Sequence, residues 1–471
     1  MAEAEGNGTA RDALADNVRF GAESLAQDSS RNIRNLKTSL KLFVLVLAVS
    51  AVMGVAAWLF LSALDLVTEF REEHPLCFLL LPVVSVATAW LYKNHGLRSS
   101  QGNNLVISTA LWGGLIHLRM AVLTFFCSIA THLAGGSAGR EGTAVQIGGT
   151  IASNVSNWFK LDSRSNRDLM LAGISAAFGG VFGTPLAGAF FGMEMCYVGK
   201  LEYSAAIYCL TASFVGNGVA EALGVEYTFQ RISHVPSLSW DLILITALCA
   251  VIFGLVARLF SFAIRQIKKL YAKHLQNYLV RALVSSLVLL AAYAIIGGWD
   301  YAGLAEWLVS SGFKGQTTPV DALLKLLYTA LTVGGGFQGG EVTPLFGMGA
   351  SLGGWIGSTF LDDPSFMAAI GMISMFSAAL NVPVTGIMLG IDMFGGGTAP
   401  YYVIAAFVSY LVAGHRGIYP AQRIVTPKRR SLADDESLTV DEAIARHHNE
   451  VEGALVDDDA YAYEDEDEEE F

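Results

Sequence analysis

Apolar residues run in long stretches along this chain, while polar residues gather between them and at the two ends. A helix needs about 20 apolar residues to cross roughly 30 Å of hydrocarbon. The stretches "LFVLVLAVSAVMGVAAWLFLSALDLV" from Leu42 and "LILITALCAVIFGLVARLFSFAI" from Leu242 exceed that length and predict membrane-crossing helices. Other apolar runs are cut by Gly and Pro into pieces too short to cross alone. These predict broken and re-entrant helices, which a bilayer tolerates only where they are buried in protein or line a cavity. The pattern is that of an all-α polytopic membrane protein.

Composition supports this and then divides the chain. Hydrophobic residues make up 53% of the 471, and mean hydropathy is +0.46, both above the range of soluble domains. The net charge of −12 comes from one end: residues 431–471 carry 17 Asp and Glu against a single Arg, so the rest of the chain is net positive. Three parts are expected: a polar N-terminal segment over 1–37, a membrane domain over 38–425, and an acidic tail over 426–471 whose composition predicts disorder. The start "MAEAEGNGTA" has no basic segment leading into an apolar core and does not read as a signal peptide. Cys77, Cys127, Cys196, Cys209 and Cys249 form no CxxC and read as small core hydrophobes.

Basic residues cluster before the first span (Arg31, Arg34, Lys37, Lys41), in the middle (Arg265, Lys268, Lys269, Lys273, Arg281) and after the last span (Arg416, Arg423, Lys428, Arg429, Arg430). The positive-inside rule places all three clusters, and both termini, in the cytoplasm.

The chain also repeats itself. "GGSAGREGT" (135–143) and "GGFQGGEVT" (335–343) share G-G-x-x-G-x-E-x-T, offset by 200. "TPLAGAFFGMEM" (184–195) and "VPVTGIMLGIDM" (382–393) share P-x-x-G-x-x-x-G-x-[acid]-M, offset by 198. Two motifs that keep their order and spacing imply two related halves, about 40–225 and 240–410. Paired Gly-interrupted segments of this kind point to a transport site at the midplane, and inverted halves would bring both Gly-rich motifs together there.

A Gly-rich turn that opens a helix leaves unpaired N–H groups and the positive end of the helix dipole facing the cavity. Two such ends make an anion site without a lysine. Glu141 is a local anion at that place. When ionised it would occupy the site, and when protonated it would leave, which couples proton movement to anion movement.

These motifs resemble the CLC family of anion channels and transporters. "GREGT" (139–143) is similar to the family's G-R-E-G-P, and "GVFGTPLAGAFFGMEM" (180–195) resembles the helix that follows it. "GGEVTPLF" (339–346) stands where most members carry G-x-F-x-P, "GNNLV" (102–106) where the first anion-binding loop is expected, and "GIYP" places Tyr419 at the late pore tyrosine. The likeness covers about 35–425 and implies an inverted repeat of tilted and broken helices. There are departures: Asn103 replaces a serine, Thr143 a proline, Val342 the pore phenylalanine, and Met195 stands where chloride/proton exchangers carry their inner proton glutamate. With Glu341 before Val342, these departures are similar to the bacterial fluoride-exporting branch.

The resemblance therefore implies a fluoride/proton antiporter in the cell (inner) membrane, a homodimer with one pore per subunit and no C-terminal CBS domains. A chloride/proton exchanger or a passive chloride channel is the alternative on the same fold. It assigns gating and proton carriage to Glu141, anion binding to Gly102, Asn103, Arg140, Gly142, Val342, Thr343 and Tyr419, and coupling or selectivity to Glu341. No cofactor, metal or nucleic-acid partner is called for.

Other readings stand beside these. Tyr419 also fits an interfacial tyrosine belt, and only the resemblance favours the pore. Asn103 also fits a turn residue, and Glu341 a carboxylate capping N–H groups. Glu194 and Asp392 read as structural acids, and His117 and His132 as helix–helix contacts. Ser137 and Ser351 keep an intramembrane enzyme in view, but neither has a His or Asp partner at a readable spacing. "GASLG" and "GGGFQG" lack the strand–turn–helix and βαβ settings that hydrolase and dinucleotide motifs need.

Overall fold

The structure, a computed structural model, describes the backbone of residues 6–447 and the side chains of 36–447. Sixteen α-helices precede a last helical stretch over 440–447. The first eight are α1 (Gly6–Glu73), α2 (Leu81–His95), α3 (Asn103–Trp112), α4 (Arg119–Leu133), α5 (Glu141–Trp158), α6 (Ser163–Phe182), α7 (Pro185–Glu194) and α8 (Ala206–Ala222). The second eight are α9 (Trp240–His274), α10 (Tyr278–Ile296), α11 (Glu306–Phe313), α12 (Pro319–Gly334), α13 (Val342–Phe360), α14 (Pro364–Leu380), α15 (Pro383–Phe394) and α16 (Ala399–Ala413). Each helix of the second set corresponds in order to one of the first, and the packing repeats too: α5 against α6 matches α13 against α14, and α1 against α8 matches α9 against α16.

Among the described residues, five helical stretches are long and apolar enough to cross a membrane: 36–73, 75–95, 240–274, 278–296 and 396–413. The central helices α5, α6, α13 and α14 are instead buried on nearly every side, packed inside the others. Their small residues make this possible. A Cβ on Gly148 would lie 2.4 Å from the Gly173 carbonyl oxygen, and one on Gly371 would lie 2.1 Å from that of Gly349. The same backbone-to-backbone approach thus closes α5 on α6 and α13 on α14, as small-residue interfaces do in membranes.

The second motif pair forms a reciprocal clasp. Glu194, at the end of α7, accepts from the N–H groups of Val384 (3.1 Å) and Thr385 (2.8 Å) and from the Thr385 hydroxyl (2.6 Å), at the start of α15. Asp392, near the end of α15, accepts from the Ala187 N–H (2.9 Å), at the start of α7. Each acid satisfies orphan donors at the N-terminus of the other helix.

Two features of the backbone bear on the ends of the membrane domain. The backbone has no break near residue 37, because α1 continues unbroken from Gly6 to Glu73. No proline interrupts that sequence, so the polar segment extends the helix that the apolar segment forms. The acidic tail is also folded for part of its length. β1 (Tyr197–Val198) pairs in parallel with β2 (Arg423–Ile424), and Leu438, Val440, Ala443 and Ile444 pack with Val198, Tyr410 and Ile424. Composition averaged over the whole tail hid this apolar turn. Residues 448–471, which hold the "EDEDEEE" run, lie outside the described residues.

Asp435 anchors this segment. It is fully buried and takes hydrogen bonds from His415 Nδ1 (2.9 Å) and His447 Nε2 (3.0 Å), with the Arg446 guanidinium at 2.8 Å. His415 Nε2 in turn accepts from the Lys428 N–H at 3.1 Å.

Candidate anion pathway

The two Gly-rich motifs meet at the centre of the molecule. Gly139 and Gly340 form an antiparallel bridge in which each N–H donates to the other's carbonyl at 2.6 Å. Gly139 and Gly340 hold equivalent places in the fold, each two residues before the helix it leads into, one residue out of the 200 offset of the sequence motif. The bridge sets the openings of α5 and α13 side by side, with Arg140 and Glu341 as the residues preceding them.

Glu141 crosses this seam. Its carboxylate accepts from the Thr343 N–H at 3.2 Å and from the Thr343 hydroxyl in a short contact. A carboxylate from the first half thus occupies the N-terminus of a helix in the second half, where unpaired N–H groups and the dipole favour an anion. Glu141 is 2% exposed, so this is an interior contact.

Two vestibules approach the seam. One is a cavity of about 630 Å³ lined by Gly102, Asn103, Gln146, Glu341 and Tyr419, with Lys93, Arg265, Lys268 and Arg281 on its walls. Four cations against the single acid Glu341 give it a positive field that concentrates anions. Asn103 Nδ2 donates to the Tyr419 hydroxyl oxygen at 3.5 Å, which leaves the Tyr419 O–H able to donate elsewhere. The Tyr419 loop is fixed by the Ile418 N–H on the Ala379 carbonyl (2.9 Å) and the Ala421 N–H on Asn104 Oδ1 (3.1 Å). The other vestibule, about 670 Å³, is lined by Asp65, Arg140, Glu226, Glu306 and Thr343 and is predominantly acidic. Arg140 points into it and pairs with Glu306 at 3.6 Å.

The candidate residues therefore separate. Gly102, Asn103, Glu341 and Tyr419 line the basic vestibule, Arg140 and Thr343 the acidic one, and Glu141 lies at the seam. Val342 is fully buried and lines neither cavity, because its side chain packs into the core on the first turn of α13. Gly142 is a close-approach position: a Cβ there would lie 3.0 Å from Asn103 Nδ2 and 3.1 Å from the Gly340 Cα. Glu341 is half-buried and its Oε2 has no partner, so it does not act as an N–H cap. Glu194 and Asp392 hold the helix starts described above, and His132 bonds the Ser128 and Ala138 carbonyls at 2.8 and 3.2 Å.

Two further residues stand at the site. Gln146 accepts from Thr124 Oγ1 at 2.8 Å and faces the basic vestibule beside Gly102. Lys325 is fully buried and donates to Ser137 Oγ (3.0 Å) and to the Tyr301 and Gly303 carbonyls (3.0 and 2.8 Å), which fixes the loop leading to Arg140 and Glu141. Ser137 and Lys325 line neither of the two vestibules.

Buried helix ends, a carboxylate across the seam and a cationic approach define an anion-conducting membrane protein, and the chain belongs to the CLC family: the description "Voltage gated chloride channel" matches residues 84–414. It is 36% identical over 415 residues to the "Chloride/fluoride channel protein" of Pseudomonas syringae pv. tomato, covering 86% of this chain and 91% of that one. It is 25% identical over 310 residues to the "H(+)/Cl(-) exchange transporter ClcA" of Vibrio cholerae, covering 62% and 64%. Among solved structures it resembles a CLC-type fluoride/proton antiporter with a TM-score of 0.79 and 34% identity, over 82% of this chain and 98% of that one. The all-α, inverted-repeat fold expected from the sequence is the one observed.

Proposed function

We propose that this protein is a secondary-active transporter that exchanges fluoride for protons, with Glu141 as both plug and proton carrier. The observation that carries this is the seat of the Glu141 carboxylate on the α13 N-terminus, on the boundary between the two vestibules. A carboxylate is anionic and competes for that seat. Once protonated it loses its attraction to the helix end and vacates it for the transported anion.

Fluoride is favoured over chloride by the donors. A small, strongly hydrated anion needs dense, hard hydrogen-bond donors to replace its water. The Tyr419 hydroxyl, the Asn103 and Gln146 amides and the Thr343 hydroxyl supply them along the path. The 36% identical relative named for chloride and fluoride, and the 34% identical fluoride/proton antiporter, support the same reading. Glu194 is committed to the α15 N-terminus and is followed by Met195, which leaves Glu141 and Glu341 as the carriers of the proton.

In this reading the basic vestibule faces the cytoplasm, as its Arg265, Lys268 and Arg281 indicate, both termini lie on that side, and the functional unit is a homodimer in the cell membrane. The protein acts as a transporter and not as an enzyme.

The test is reconstitution into liposomes loaded with fluoride or chloride, with anion efflux and internal pH followed together. Fluoride efflux with opposing proton movement is expected. Comparable chloride efflux would overturn the selectivity, and fluoride efflux without proton movement would make the protein a channel.

A further inference from the structure

The repeat that builds the Glu141–Thr343 contact has a second arm. In the sequence motif, offset by 200, Glu141 aligns with Glu341 and Thr343 with Thr143; in the fold α5 opens on Glu141 and α13 opens one motif position later, on Val342, so Glu341 immediately precedes its helix. In the first arm the carboxylate holds both the hydroxyl and the N–H of its threonine. In the second, Thr143 is fully buried, yet its Oγ1 has no hydrogen-bond partner, and Glu341 Oε2 is buried without one. Buried polar oxygens without partners are uncommon because desolvation is then uncompensated. Thr143 does not even use the carbonyl one turn back, as Thr131 does with Cys127 (2.9 Å) and Thr150 with Gln146 (2.7 Å).

The backbone around both arms is alike. A Cβ on Gly139 would lie 3.1 Å from the Thr343 nitrogen, and one on Gly340 would lie 2.7 Å from the Gly142 nitrogen and 3.0 Å from the Glu141 nitrogen. Each half therefore presents the first N–H groups of its helix to the glycine that leads into the other half's glutamate. Those N–H groups, at the start of an 18-residue helix, have no intrahelical acceptor.

We propose that Thr143 and the opening N–H groups of α5 form a second carboxylate latch, which Glu341 enters when Glu141 has left Thr343. The proposal rests on the exchange reading above, in which the two latches alternate during turnover. Glu341 starts from the basic vestibule, while Glu141 is seated at the seam. Two proton-carrying carboxylates that take turns on equivalent helix ends keep one end closed by a carboxylate while the other is free for the anion.

A double-mutant cycle on reconstituted protein tests this. Thr143→Val removes the hydroxyl at nearly constant shape, and Glu341→Gln removes the charge it would hold. Each is expected to slow proton-coupled fluoride exchange by about tenfold or more, the loss of one hydrogen bond to a charged group. The double variant is expected to be no slower than Glu341→Gln alone, and Thr143→Ser to restore the rate. Multiplied effects, or an unchanged rate in Thr143→Val, would overturn the latch.

A structure of Glu141→Ala, which empties the first latch without touching the second, is the companion measurement. The Glu341 carboxylate is expected within hydrogen-bonding distance of Thr143 Oγ1, and its retention in the vestibule would overturn the proposal. A wild-type protein that exchanges neither fluoride nor chloride for protons would overturn the exchange reading, while the Glu141→Ala structure still decides the latch.

Discussion

Glu141 belongs to the first half of the chain and Thr343 to the second, yet the carboxylate of one is held by the N–H (3.2 Å) and hydroxyl of the other. A hydrogen bond to a charged group is worth about 1.5–3 kcal/mol. Thr343→Val keeps the N–H and removes the hydroxyl, so the Glu141 plug is expected to release more readily and proton-coupled exchange to fall by about tenfold or more. Glu141→Gln is expected to abolish proton movement while leaving some anion flux. Paired anion and pH recordings from liposomes check both.

Glu194 and Asp392 predict a different phenotype. Each holds the opening donors of the other's helix, so Glu194→Ala leaves the Val384 and Thr385 N–H groups and the Thr385 hydroxyl without their acceptor. Leaving buried donors unsatisfied costs about 1–3 kcal/mol. Thermal unfolding of the purified protein is expected to shift down, while the ratio of protons to anions moved by the folded fraction is unchanged. A changed ratio would instead make Glu194 part of the proton route.

The central Gly pairs carry a packing prediction. Gly371→Ala places a methyl group 2.1 Å from the Gly349 carbonyl oxygen and 3.2 Å from the Phe253 ring. Overpacking of this kind costs about 1–3 kcal/mol. Gly336→Ala is expected to behave differently, because nothing lies within 4 Å of that position; its positive φ of 98° is the only obstacle. Unfolding midpoints of the two variants compare steric closeness with backbone conformation.

The folded part of the C-terminal segment carries a pH prediction. Burial holds His415 below the usual histidine range despite its bond to Asp435. Burial alone would raise Asp435, but the hydrogen bonds from His447 and His415 outweigh it and hold the carboxyl below its ordinary value. Both groups therefore bind protons more readily once the segment is released. Docking is complete above about pH 6.5, weakens as His415 is protonated below that, and weakens again below about pH 4 as Asp435 is. Hydrogen exchange across 423–447 is expected to quicken at pH 5 relative to pH 7.5, and to be fast at both in Asp435→Ala.

The repeat was readable from the chain because two spaced motifs survive nearly intact in both halves, and Glu141 was readable because a lone carboxylate between apolar runs needs a reason. What could not be read was direction. Val342 and Thr343 are neighbours in sequence, yet one packs into the core and the other lines a cavity, since successive helical residues point about 100° apart. Lys325, in "DALLKLLYTA", looks like the polar face of an amphipathic helix and is instead fully buried. A lysine alone among membrane-depth residues was the available signal. Gln146, inside "TAVQIGG", gave a weaker one of the same kind.

The Gly139–Gly340 bridge is made entirely of main chain, so substitutions elsewhere can accumulate in either half without undoing the join. Specialisation of the two glutamates, one seated and one in the vestibule, is therefore compatible with an unaltered seam. Main-chain bonds of this kind do not depend on a covalent link between the halves. Co-expressing residues 36–235 and 236–447 as separate polypeptides asks whether the seam still forms without that link.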